Sequence, residues 1–128
     1  MNSSMLAAYI FTLLTSVVVL FQLALALGAP WGEWAMGGKF PGKYPPQLRI
    51  AALVQMGLLI FCGAVVISRA GLAWVEYAHV SRYAIWFVVV LFIISAILNN
   101  ITPSKKERML WGPVTIVLVI CSFVVALD

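Results

Sequence analysis

Charge is what this sequence has least of. Only 9% of its 128 residues are Asp, Glu, Lys or Arg while 64% are hydrophobic, whereas a soluble domain carries about 25% charged residues. That imbalance excludes a soluble fold. The charged side chains gather in Glu33 to Arg49, Arg69 to Arg82 and Lys105 to Arg108, with Asp128 at the end. Between them lie four uncharged stretches, Met1 to Gly32, Ile50 to Ser68, Tyr83 to Ser104 and Met109 to Leu127. Each approaches the ~20 apolar residues that cross ~30 Å of hydrocarbon.

Chemically reactive groups are equally scarce. His79 is the single histidine, and without a carboxylate pair or thiol cluster it reads as a solvated interfacial residue, so no metal site is expected. Cys62 and Cys121 lack the C-x-x-C spacing of a thiol oxidoreductase and read as small apolar packing residues. No acid lies within the apolar stretches, whereas coupled transporters usually carry ionisable groups inside their spans. These absences disfavour an enzyme, a cofactor-dependent protein and a proton-coupled exporter. Met1 to Met5 also lacks the basic residues of a signal peptide, so Leu6 to Leu27 is expected to stay as a span.

What remains is an all-α protein: a four-transmembrane-helix bundle with both termini on the same side, in a single membrane domain over 1–128. Its spans are expected at roughly 5–27, 48–68, 81–99 and 109–127. A closed barrel would show alternating strands of ~10 residues instead of continuous apolar runs. Lys39, Lys43 and Arg49 in the first loop and Lys105, Lys106 and Arg108 in the third outnumber Arg69 and Arg82 in the second. The positive-inside rule therefore turns loops one and three to the cytoplasm and the termini outward. In the second loop Trp74 and Tyr77, with Tyr83 and Trp86 just beyond, read as an aromatic belt.

Loop one contains Gly28, Gly32, Gly37, Gly38 and Gly42 together with Pro30, Pro41, Pro45 and Pro46. Pro41-Gly42 has the sequence of a type II turn, and Gly37-Gly38 permits positive φ. With Trp31, Trp34, Phe40 and Tyr44 supplying apolar rings, the loop is expected to fold as a compact cap on the helix ends. In loop three, Thr102-Pro103 fits an N-cap followed by proline, and Ser104 with Glu107 fits a capping box. Either register starts a helix, which Pro113 is then expected to bend. Lys105, Lys106 and Arg108 are candidates for contact with anionic headgroups.

Two polar features converge at the inner end. Gln22 and Gln55 lie at similar distances from that side of their spans, so they are expected at one depth and within reach of each other. Such an interhelical bond contributes roughly 0.6 to 2 kcal/mol. Asn99 and Asn100 close the third span on the same side, under Glu33 of loop one. The candidate binding residues are therefore Gln22, Trp31, Glu33, Trp34, Gln55, Asn99, Asn100, Lys105 and Arg108.

The run Gly28-Ala-Pro-Trp-Gly, the Met36-Gly-Gly-Lys-Phe-Pro-Gly-Lys stretch with Pro45-Pro46 and Arg49, and Leu98-Asn-Asn-Ile-Thr-Pro-Ser with Glu107-Arg108 and Trp111-Gly-Pro113 carry a resemblance. They resemble a family of small four-span bacterial integral membrane proteins. That resemblance covers most of the chain and implies a bacterial plasma-membrane location and four helices, with no activity attached.

Two functions fit these residues. One is a structural, accessory or lipid-interacting membrane protein whose partners are membrane lipids and a homo-oligomer or larger membrane complex. The other is a small oligomeric transporter or channel whose path runs past Gln22, Gln55, Asn99 and Glu33. Neither involves nucleic acid.

Overall fold

The computed structural model describes residues 2–128. Four long helices dominate it: α1 (Ser3–Ala26), α2 (Pro46–Arg69), α3 (Ala78–Ile101) and α4 (Lys105–Leu127). All four are long and apolar enough to cross a membrane, and the chain is a multipass membrane protein with a helical bundle fold. The helices start at Ser3, Pro46, Ala78 and Lys105, a few residues before the expected spans. Asn2 caps α1 by accepting from the Met5 amide at 2.8 Å, and Pro46 opens α2 at a position where its missing N–H costs nothing.

Both of the first two helices end by the same device. Beyond α1, Gly28 takes φ +101° while the Ala29 amide reaches back to Ala24 O at 2.9 Å. Beyond α2, Gly71 takes φ +78° while Leu72 reaches Ile67 O at 3.1 Å. This is the Schellman pattern, which satisfies terminal carbonyls through a left-handed residue that glycine adopts without strain.

Of the two start signals in loop three, Ser104 is the cap. Its hydroxyl accepts from the Glu107 amide at 3.2 Å, and Thr102 Oγ1 accepts from the Ser104 amide at 3.2 Å. The helix then continues through Pro113 to Leu127.

In the bundle α1 packs on α2 and α4, and α3 packs on α4, whereas the α2–α3 seam is looser. The main core lies toward the termini. It joins Ala8 and Phe11 of α1, Cys62 and Val66 of α2, Val88 and Phe92 of α3, and Leu118 and Val125 of α4. A smaller cluster of Leu25, Tyr44 and Ala52 closes the opposite end under loop one. Outward faces carry exposed Leu13, Leu20, Val54 and Ile97, as expected where the surrounding solvent is lipid. Trp74, Tyr77, Tyr83 and Trp86 are all exposed around the α2–α3 connection, and His79 is exposed beside them.

Candidate functional site

Loop one folds over the loop-three end of the bundle and is tied there by polar contacts. Ser104 Oγ donates to Glu33 O at 2.8 Å, and Lys106 Nζ pairs with Glu33 Oε1 at 2.5 Å. The same ammonium lies 5.4 Å from the centre of the Trp34 ring. Arg49 donates through Nε to Tyr44 O at 2.9 Å, and its guanidinium fills the space above Gly28. The expected glycine conformations are present: Gly37, Gly38 and Gly42 all have positive φ.

The two cores leave a gap between them. A cavity of about 660 Å³ occupies the loop-one half of the bundle, within the range of small-molecule sites, about 300 to 1,000 Å³. Its roof comes from Trp34, Gly37 and Tyr44 of loop one, and its walls include Gln22, Gln55, Ser95, Asn99, Trp111 and Thr115. Leu58 of α2 and Ile94, Leu98 and Ile101 of α3 line it while remaining exposed outside. The looser seam is therefore a lateral mouth facing the acyl chains. The cavity ends blind, because Phe92 and Leu118 at its floor belong to the main core. Phe92 meets Phe11 edge-on there, at 5.3 Å between centroids.

Four of the candidate residues, Gln22, Trp34, Gln55 and Asn99, line this cavity, and five do not. Trp31 stacks outside on Phe21 at 6.4 Å. Glu33 lies outside the cavity lining, with its carboxylate paired to Lys106 and its backbone carbonyl accepting from Ser104. Asn100 sits at the α3–α4 joint, donating to Ala96 O at 2.6 Å and Gly112 O at 3.3 Å. Arg108 donates to Thr102 O at 2.7 Å, and Lys105 is exposed on the first turn of α4.

The expected Gln22–Gln55 bond is a correction: no hydrogen bond joins them among the described residues, and both line the cavity wall. Gln55 is exposed at the mouth, where no neighbouring group competes for its amide. Gln55→Leu is thus expected to leave the melting temperature in detergent unchanged. A marked drop would show that this amide holds the bundle together.

The residue that sequence reasoning missed is Glu107, which it had treated as a helix-capping group. Glu107 is only 7% exposed and lines the cavity. Its carboxylate does not close the capping box on Ser104. It turns instead to loop one, where Oε1 accepts from the Gly37 amide at 3.3 Å. No Lys, Arg or His approaches it within 4.0 Å among the described residues, since the Lys106–Glu33 pair is the only ion pair there. Glu107 lies outside the four apolar stretches, yet the fold turns this acid toward the bundle interior. A signal was present: Glu107, Trp111, Thr115 and Leu118 follow the i, i+4, i+8, i+11 spacing of one helix face. Tyr44, another lining residue, feels both the burial and the charge. Burial pushes its phenol above the ordinary value of 10.0, and Glu107 raises it further.

Fold and site together define a multipass membrane protein with a laterally open, amphipathic cleft under a loop cap. Comparisons with protein-family models, curated proteins and solved structures return no match.

Proposed function

We propose that this protein is an accessory, lipid-interacting protein of a bacterial plasma membrane, which admits an amphipathic molecule from the bilayer into the cleft between α2 and α3. The observation that carries this reading is the lateral mouth: residues facing the acyl chains, Leu98 and Ile101 among them, are also the residues that line the cavity. An aqueous solute would have to pass through that apolar edge, whereas a lipid enters without leaving its own solvent. The polar end of the cleft lies under loop one and loop three. The Lys and Arg bias of those loops assigns that end to the cytoplasmic headgroup level, with the termini outside. The resemblance of the loop motifs to the bacterial four-span family supports the choice of membrane. Only part of the basic cluster is free for headgroups, because Lys106 is engaged by Glu33. The apolar outer faces leave room for a second copy or a larger membrane complex.

A transport reading has one observation in its favour, since an acid facing an intramembrane cavity is a usual mark of ion coupling. Against a continuous channel stands the Phe11–Phe92 contact beneath the cleft.

The test is lipid retention. Protein extracted in mild detergent is expected to hold lipid detectable by native mass spectrometry. Ala51 lines the cavity from an exposed position, so Ala51→Trp is expected to cut that retention several-fold with the melting temperature preserved. Equal retention in both proteins would locate the lipid elsewhere and end the reading. Solute flux in proteoliposomes that Ala51→Trp abolishes would replace it with transport.

A further inference from the structure

The cleft holds a buried charge with no counter-charge, and that charge specifies a ligand. Its one buried ionic group is Glu107, more than nine-tenths buried, with a single protein donor at 3.3 Å. Leaving a buried carboxylate without a cation is costly. Nearby cations do not supply one: Lys106 is held by Glu33, Arg108 by Thr102 O and Arg49 by Tyr44 O, and Lys39 lies exposed at the rim without pairing with Glu107. Further acceptors stand on the wall. Asn99 spends its Nδ2 on Ser95 O at 2.7 Å, which leaves Oδ1 as its unused group. Thr115 spends its hydroxyl hydrogen on the backbone of its own helix, at 2.7 Å from Trp111 O. The amides of Gln22 and Gln55 line the same wall and have no protein partner among the described residues, so each offers both a carbonyl and an NH2 group.

Aromatic rings complete the surroundings. Trp111 stands one helical turn from Glu107 on the same face, and it contacts Phe21 at 4.8 Å between centroids. Tyr44 and Trp34 close the roof. Ring faces attract cations, and the Lys106 ammonium over Trp34 uses that attraction at this very roof. Phosphate is a poor match for such a pocket, since it would set an anion against Glu107. An ammonium supplies the donors and the positive charge together.

We propose that the cleft binds the primary ammonium group of an amphipathic molecule, with Glu107 as its counter-ion and the chain lying along the apolar seam between α2 and α3. A primary ammonium brings N–H donors for the wall acceptors, which a quaternary ammonium lacks. Lys39, exposed at the rim and lining the cavity, is placed to meet a phosphate when the ammonium belongs to a phospholipid headgroup. The proposal rests on the reading of the cleft as a ligand site.

The helix-capping alternative treats Glu107 as a clamp on Gly37 alone, and Glu107→Gln separates the two roles. Glutamine keeps an oxygen for the Gly37 amide and removes the charge. Binding of short-chain phosphatidylethanolamine, phosphatidylcholine and phosphatidylglycerol to the detergent-solubilised chain is followed by tryptophan fluorescence. The native chain is expected to prefer the ethanolamine lipid over both others by about tenfold, equivalent to about 1.4 kcal/mol. In Glu107→Gln that preference is expected to vanish while the melting temperature is kept. Dodecylamine separates the sources: competition by it means that ammonium and chain suffice, and absence of competition alongside the ethanolamine preference means that the headgroup phosphate takes part. Equal binding of the three lipids to the native chain overturns the ammonium proposal and leaves the cleft reading standing. Binding that persists unchanged in Ala51→Trp overturns the cleft reading itself. If Glu107→Gln fails to fold, the comparison of lipids on the native chain still decides.

Discussion

Replacing Gly32 with alanine is expected to dislodge the loop-one cap and lower the stability of the bundle by about 3 kcal/mol, the upper part of the range for overpacking a rigid site. A Cβ at this position would stand 1.8 Å from Phe40 O and 2.8 Å from Gly42 O. Both obstacles are backbone, so no rotamer change relieves them. The chain has to open, and the bond from the Gly32 amide to Gly42 O at 3.0 Å goes with it. Glu33 follows directly in sequence, so its pair with Lys106 and its bond from Ser104 are lost as the loop moves. Thermal unfolding in detergent should record the loss, and trypsin should cut faster at Lys39 and Lys43. Gly57→Ala is the control, because a Cβ there meets nothing within 4 Å. A Gly32→Ala protein that melts with the Gly57→Ala protein would mean that the cap is not built around this glycine.

Phe92→Ala carries the second large effect, at the floor of the cleft. Phe92 is 3% exposed and meets the fully buried Phe11 edge-on at 5.3 Å. In a bilayer the transfer part of a core truncation is small, since lipid is as apolar as the side chain removed. The cavity and the lost aromatic contact remain, together about 2 to 3 kcal/mol. The change also joins the cleft to the main core, which contains Cys62 and Cys121. Small thiol reagents are expected to leave the native protein unmodified and to label Phe92→Ala. Labelling of both proteins at one rate would refute the assignment of Phe92 as the floor.

The spans could be read from the sequence because membrane insertion is a solvation problem that each segment solves alone. An uncharged run of sufficient length prefers hydrocarbon whatever its neighbours do, so Ile50 to Ser68 needs no partner to be recognised as a helix. The glycine turns of loop one were also legible, as local φ requirements are written in local residues. Gln22, Gln55 and Asn99 were placed on the cleft by depth alone, which works because rise per residue is constant in a helix. Glu107 failed that kind of reading. In sequence it is the third residue after a serine cap, and its local role is sufficient to explain it.

Solvation and local backbone chemistry thus determined by themselves that the chain crosses the membrane four times, where each helix lies and which loop bends where. Only the tertiary structure decided that Ser104 is the cap, that Glu33 is consumed by Lys106, that the glutamines line a wall without bonding each other, and that Glu107 faces a cleft. Those outcomes depend on which helix faces meet and how far apart they stand, and that relation between distant segments is carried by no single stretch of the chain.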